Sequence, residues 1–318
     1  MNKENQTTLS IIVSVYNEQE GLVQFWNTLK QTIKQDLDKY ECQVIFVNDG
    51  STDKSQSIID NILNQENNIK IKSIEFSRNY GHEAAMIAGI DNCNDDIAVC
   101  LDADLQHPPD RILSMIKEWE NDADIVLMNR TKRQDNTFLN RLSSKLFYKT
   151  VNFLSETRFE SNASDFFLIS KRVATVLKNN YRERNRFLRG YIQMIGYNIT
   201  SVEYESPDRN AGTSNYNFRK LFSLGVTAIF AFSNKPLKIS LIISFIFFIF
   251  STILIIYSIC MYLFGSTIVS GYTTIIISQS IGFTVLSFII SILSIYFGKS
   301  LSDIRDRPIY LVKNVKTK

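Results

Sequence analysis

Residues 239–298 form an unbroken run of 60 positions without Asp, Glu, Lys or Arg. The run divides at Gly265 to Gly271, leaving apolar segments at about 239–264 and 273–297. Each supplies the ~20 or more apolar residues needed to cross a hydrocarbon core ~30 Å thick. Core helices of a soluble protein are usually shorter and keep a polar face. The sequence therefore predicts a two-helix transmembrane hairpin over 237–298. Its connector is short and uncharged, whereas Lys235, Lys238, Lys299, Arg305 and Arg307 flank the outer ends. Cationic flanks stay on the cytoplasmic side, so both outer ends are expected in the cytoplasm.

This run makes whole-chain averages misleading. The 318 residues are 45% hydrophobic and 21% charged, with 35 Lys+Arg against 32 Asp+Glu. That near balance gives no support to a nucleic-acid partner. Cys42, Cys93, Cys100 and Cys260 have no paired spacing, which argues against a disulfide scaffold or Cys-based zinc site and for a reducing compartment. The start, Met-Asn-Lys-Glu-Asn-Gln, has no apolar h-region, so no cleavable signal is expected and the first 235 residues are expected to stay cytoplasmic. Residues 213–236 form an aromatic-rich juxtamembrane segment with Arg219 and Lys220. It reads either as an interfacial helix on the inner leaflet or as a helix packed on the soluble domain. Residues 299–318 read as a basic cytoplasmic tail.

Before the hairpin, β-rich runs at 10–15, 43–47, 70–76, 96–101 and 124–128 alternate with helical stretches such as 19–37 and 53–65. Such alternation predicts an α/β domain, over 1–212, built on a mainly parallel sheet. Ligands of such sheets bind beyond the carboxyl ends of the strands. Polar residues gather there: Tyr16-Asn17-Glu18 after the first strand, Asn48-Asp49-Gly50-Ser51-Thr52-Asp53 after the second, and Asp102-Ala103-Asp104-Leu105-Gln106-His107 after the fourth. The second group alone is a good turn, with Gly50 for a positive φ and Thr52 or Asp53 as a helix cap. If 102–106 is extended, Asp102, Asp104 and Gln106 point the same way. Three hard oxygens so placed suit Mg²⁺ or Mn²⁺ held together with substrate phosphates. His107, followed by two prolines, reads as a loop residue, and His82 as a polar helix start.

Taken in order, Val15-Tyr16-Asn17-Glu18, Val47 to Asp53, Ser77-Arg78-Asn79-Tyr80-Gly81-His82-Glu83-Ala84-Ala85 and Asp102 to Pro109, followed by the two-helix tail, resemble a known family. This is the GT-A-fold family 2 glycosyltransferases, within them the polyprenyl-phosphate group related to dolichol-phosphate mannose synthase and bactoprenol glucosyltransferase. The resemblance implies a Rossmann-like GT-A domain in the bacterial inner membrane, multi-pass, with catalytic domain and both termini cytoplasmic. It implies inverting transfer of a hexose from a nucleotide sugar to polyprenyl phosphate. Glucose from UDP-glucose is favoured by family frequency alone, over mannose, galactose or an N-acetylhexosamine. The lipid-linked sugar would serve cell-surface glycan modification, with a flippase and a second transferase downstream and a homo-oligomer as a further partner the family admits.

By the same resemblance Asp49 contacts the nucleotide, with Tyr16, Asn17 and Glu18 lining its pocket and Asp53 and Arg78 also binding substrate. Asp102, Asp104 and Gln106 form the metal and diphosphate site. Asp165 matches the acceptor-side catalytic residue, and Arg130, Arg133, Arg189 and Arg209 the cations that hold diphosphate and lipid phosphate. The chemistry agrees with these roles: a nucleoside diphosphate leaving group needs its developing charge neutralised, and guanidinium forks grip phosphate bidentately. A lipid phosphate, with a second pKa of about 6, needs no strong base, so Asp165 is expected to orient acceptor and donor or take a residual proton.

The chain departs from the family pattern at several positions. Ser14 stands where Pro is usual, an effect expected on strand stiffness more than chemistry. Phe167, Ser206 and Asn215 replace common cations, which weakens the assignment of lipid contacts, and Met194 replaces a frequent Trp. A processive polysaccharide synthase would carry Gln-x-x-Arg-Trp, but Trp26 and Trp119 are not preceded by Arg. A non-catalytic nucleotide-sugar sensor is opposed by the intact Asp102, Asp104, Gln106 and Asp165.

Overall fold

The computed structural model describes residues 6–131, 163–183, 188–205, 235–264 and 271–318. It divides into two compact units, one around a sheet and one around two long apolar helices.

In the first unit, strands β1 (Thr8–Val15), β2 (Glu41–Asn48), β3 (Lys70–Phe76) and β4 (Ile97–Asp102) alternate with helices α1 (Leu22–Asp36), α2 (Ser55–Gln65) and α3 (His82–Asp91). Helix α4 (Ile112–Glu120) leads into β5 (Ile125–Arg130). Then follow β6 (Ala163–Ser170), α5 (Lys171–Asn180), α6 (Leu188–Met194) and β7 (Ile199–Tyr204). All five strands expected between residues 10 and 128 are present, with ends shifted by at most two residues.

Strand order is β7-β5-β6-β4-β1-β2-β3-β8, where β8 is Val312–Thr317. β1 pairs in parallel with both β2 and β4, so the chain reverses its direction of travel across the sheet beside β1. The carboxyl ends of β1 and β4 therefore meet at the crevice where ligands of open α/β sheets bind. β6 runs antiparallel to β4 and β5. Its amino end, with Asp165, thus reaches the same edge as the carboxyl ends of its neighbours.

The core explains this order. Leu9 through Val15 are all buried because helices cover both faces of β1. Helix α1 buries Leu22, Phe25, Trp26, Leu29 and Ile33, a stripe at helical spacing. Helix α3 comes so close to β1 that a Cβ on Gly89 would lie 2.1 Å from Ile12 Cγ2. That approach brings the amino end of α3, and His82, to the carboxyl edge of the sheet.

The last residues differ from the expected tail. The final apolar helix runs on to Ile304, and Val312–Thr317 form β8, antiparallel to β3 at the sheet's edge. Nothing in Val-Lys-Asn-Val-Lys-Thr suggests a strand, since all six residues are exposed and no apolar alternation is needed. What holds β8 is the open backbone edge of β3, together with Lys313 on Glu75 at 2.6 Å and Lys316 on Asp60 at 2.8 Å.

The second unit contains α7 (Lys235–Phe264) and α8 (Tyr272–Ile304), 30 and 33 residues long. Both are long and apolar enough to cross a membrane. Leu241, Phe245, Phe248, Ile275, Phe283 and Phe297 are among the large side chains they leave exposed, unlike the buried helices of a soluble core. Of the segment expected to be juxtamembrane, 213–236, residues 213–234 lie outside the described residues and the last two begin α7.

Candidate active site

Two loops at the carboxyl edge are tied together by side chains. Asn17, at positive φ, accepts the Thr52 N–H on Oδ1 at 2.9 Å, and its own N–H donates to Ser51 Oγ at 3.0 Å. Asp53 accepts the N–H groups of Ser55 at 2.9 Å and Gln19 at 3.1 Å. These bonds outweigh the opposing effect of burial and hold its carboxyl below the usual range. The Glu18 N–H donates to Ser55 Oγ. Asn17 and Asp53 thus tie the two loops together, while Tyr16 stands 47% exposed.

Asp49 lies beneath a third loop. Only 2% exposed, it accepts the N–H of Tyr80 at 2.6 Å on one oxygen and that of Gly81 at 2.9 Å on the other. Charge-assisted bonds of this kind contribute about 1.5–3 kcal/mol each. Burial nevertheless raises its pKa, against those two bonds. Gly50, at φ +65°, lets the loop close over it, because a Cβ there would sit 2.3 Å from the Arg78 carbonyl carbon. The Arg78 guanidinium lies 4.6 Å from the centroid of the Tyr80 ring.

Asp102 and Asp165 approach each other through His82. Its Nδ1 is 3.0 Å from Ser14 Oγ and 3.4 Å from Asp102 Oδ1, and its Nε2 is 3.5 Å from Asp165 Oδ2. Ser14 Oγ donates to Asp102 Oδ1 at 2.6 Å. Arg189 grips Asp165 with Nε and a terminal nitrogen, each at 2.5 Å. Burial opposes the charge on Asp165, but Arg189 and then His82 hold the carboxyl well below the carboxylate range. Burial also opposes a charged His82, yet Asp102 and Asp165 lift its pKa to about 9. Neighbouring Glu83 is pushed up to about 7 by burial and by the Asp165 charge.

Behind Asp102, His107 is 1% exposed and stacked on Phe166. Its Nδ1 accepts the Asp102 backbone N–H at 3.0 Å. Burial lowers its pKa, and its Nε2 lies 3.2 Å from an Arg130 terminal nitrogen. Arg130 Nε donates to the Tyr204 hydroxyl at 2.9 Å. The loop residue expected from sequence is therefore a buried support for the end of β4.

Two further expectations change. The segment 102–106 is not extended: β4 ends at Asp102, Leu105 adopts φ 61°, and the Gln106 N–H donates to Asp104 Oδ1 at 3.0 Å. A turn, rather than strand alternation, groups these residues. Ser14, expected to bear on strand stiffness, also places its hydroxyl between Asp102 and His82. Sequence reasoning passed over His82 and Glu83, although both lie in the quoted Ser77 to Ala85 motif. Their position at the amino end of a helix entering the carboxyl edge was the available signal. Phe167 is buried in the core. Arg133, Arg209, Ser206 and Asn215 lie outside the described residues.

Residues 10–177 match the family model for glycosyl transferase family 2. The chain belongs to this family. Its family relatives include a bactoprenol glucosyl transferase of Shigella phage SfV, 34% identical over 98% of this chain and 99% of that protein. A prophage bactoprenol glucosyl transferase homolog of Escherichia coli K12 is 33% identical over 97% of this chain and 99% of its own length. Bacillus subtilis has an uncharacterized glycosyltransferase 32% identical over 96% and 93%. This family 2 glycosyltransferase is thus of the bactoprenol glucosyltransferase type, with the mixed α/β sheet of the GT-A fold. Among solved structures, a Pyrobaculum calidifontis mannosyltransferase in complex with GDP-Man and Mn²⁺ superposes with TM-score 0.48 at 17% identity, covering 72% of this chain and 64% of the other.

Proposed function

We propose that the protein transfers glucose from UDP-glucose to undecaprenyl or another polyprenyl phosphate at the cytoplasmic membrane face, inverting the anomeric carbon. The observation that carries this reading is the match, over 97–99% of both lengths, to proteins named bactoprenol glucosyl transferase. Because it extends through the two apolar helices, it concerns the membrane hairpin as well as the catalytic domain. Mannose, galactose and N-acetylhexosamine are the alternative sugars, and the product would feed a cell-surface glycan.

The cytoplasmic orientation is supported by the cations that flank the outer ends of the two apolar helices, Lys235, Lys238, Lys299, Arg305 and Arg307.

Asp102 and Asp104 supply hard carboxylate oxygens, and no cluster of three or more His, Cys, Asp or Glu suited to a metal occurs among the described residues. Two carboxylates fit a Mg²⁺ or Mn²⁺ ion shared with the diphosphate, which completes such coordination, whereas they would not fit an all-protein metal cage. Asp102, Asp104 and Gln106 are the residues to hold it. Bound there, the ion would offset charge on the departing nucleoside diphosphate.

On the acceptor side, Asp165 is an anion held by Arg189 and beside His82. Arg189 is the cation suited to the acceptor, a phosphate dianion that needs little help from a base. Asp165 keeps Arg189 and His82 in place and orients the acceptor for in-line attack. The nucleotide lies against Tyr16, Asn17, Glu18 and the loop over Asp49, with Arg78 at its edge. Arg130 supports His107, and Arg133 and Arg209 complete the phosphate contacts.

A donor screen tests the reading: purified protein in detergent with polyprenyl phosphate, Mg²⁺ or Mn²⁺ and each nucleotide sugar, with lipid product scored by mass and Asp104→Ala as the dead control. Product from UDP-glucose alone is expected. No product from any donor would overturn the reading, and product from another donor would correct the sugar.

A further inference from the structure

Tyr310 touches both elements that flank the loop over Asp49. Its ring stacks on Phe76, the last residue of β3, with centroids 5.0 Å apart and planes at 14°. Its hydroxyl donates to Asp91, the last residue of α3, at 2.8 Å. Between these anchors run Ser77 to Gly81 and then α3 itself. The loop is held at three more points. The Ser77 N–H donates to the Leu311 carbonyl at 2.9 Å. Phe76 meets Tyr80 edge-on at 5.8 Å. Tyr80 and Gly81 carry the N–H groups that bind Asp49. His82, the next residue, reaches Asp102 and Asp165.

A segment near the end of the chain thus braces the connection that bears both the floor of the nucleotide pocket and the link between the two catalytic carboxylates. Covering the edge of β3 does not require this. The pairs of β8 begin at Val312, and the far end closes with reciprocal backbone bonds between Lys318 and Ile71 at 2.9 and 3.2 Å. Tyr310 lies outside those pairs, where β3 runs into the loop. Asp91, which its hydroxyl meets, is itself clamped by Arg182 at 2.8 and 3.1 Å, so Tyr310 bears on a fixed point.

We infer that Tyr310 is a positioning residue for donor binding: by joining the end of β3 to the end of α3 it pre-sets the 77–82 loop before the nucleotide arrives. This rests on the reading of that loop as part of the donor pocket. A loop ordered in advance loses less conformational freedom on binding, and the saving appears as affinity for the donor. The acceptor gains nothing directly, so the effect falls on one substrate.

The test uses the full chain in detergent, with UDP and GDP as calorimetric probes and donor and acceptor kinetics measured separately. Tyr310→Ala loses the stack and the hydroxyl bond, and is expected to weaken nucleotide binding about tenfold and raise donor KM in step, with acceptor KM within about twofold. Tyr310→Phe keeps the stack and should lose about threefold. Lys316→Ala, which removes the Asp60 contact at the far end of β8, should bind nucleotide within about twofold of wild type. A folded Tyr310→Ala protein with wild-type nucleotide affinity overturns the inference, as does an equal loss in Lys316→Ala. Should Tyr310→Ala not fold, Tyr310→Phe decides, and wild-type affinity there overturns it. A wild-type chain that bound neither nucleotide would overturn the donor-pocket reading itself, and this inference with it.

Discussion

Gly50→Ala places one methyl group between the second and third loops of the active site. Gly50 adopts φ +65°, and its added Cβ would lie 2.3 Å from the Arg78 carbonyl carbon and 2.7 Å from both the Arg78 oxygen and the Asn79 nitrogen. The conformational part costs about 1 kcal/mol, as for any L-residue forced left-handed. The steric part is larger, because all three atoms belong to backbone and cannot swing aside. Moving them costs about 1–3 kcal/mol. It also draws Tyr80 and Gly81 away from Asp49, whose bonds of 2.6 and 2.9 Å then lengthen around a buried carboxylate. A total of about 3 kcal/mol lowers the melting temperature of a domain this size by roughly 6–12 °C. Donor KM should rise at least about tenfold through the displaced loop. The assay is thermal unfolding of purified protein with donor kinetics. Gly50→Asn, which tolerates positive φ, should recover only the conformational part. Gly21→Ala, where nothing lies within 4 Å, should be close to neutral. A Gly50→Ala protein melting within about 2 °C of wild type, with donor KM within about twofold, would refute the reasoning.

Arg189→Gln should cut activity about a hundredfold and free Asp165 to titrate nearer the ordinary carboxylate value. Since the folded wild-type pKa is depressed, Asp165 contributes stability above the unfolded value of about 3.9 that is lost as pH falls through the lower folded value. Melting curves should therefore separate the two proteins most at pH 6–7 and converge in acid. His82→Gln breaks the link between Asp102 and Asp165. With a pKa near 9, His82 contributes stability present below about 6.5 and lost as pH rises through 9, so in metal-free protein the deficit of the variant should fade above pH 9. A constant deficit from pH 6 to 10 would count against a charged His82. Burial raises the Cys42 thiol to about 12 and keeps Cys93 and Cys100 protonated. Maleimide at pH 8 should leave all three unlabelled by mass until the domain is unfolded.

The 60 uncharged residues, the strand and helix alternation and the four polar motifs belong to local chemistry, and each was legible in the sequence. Apolar length is a property of a segment, and a loop after a buried strand is marked by the polar residues it cannot bury. The sequence by itself therefore determined the fold class, the two long apolar helices and the polar loops after β2 and β4 that carry Asp49, Asp102 and Asp104. Contacts between distant segments were beyond it. His82 looked like a helix start because its partners lie 20 and 83 positions away, at Asp102 and Asp165. Ser14 looked like a matter of stiffness until its hydroxyl met Asp102, 88 positions on. The closing strand is the extreme case. Its lysines and exposed valines carry no burial pattern, so no periodicity marks it, and only the unpaired edge of β3 turns it into structure. The tertiary fold alone decided that the chain's end braces the loop over Asp49, because a backbone edge can recruit a strand from any sequence with groups free to pair.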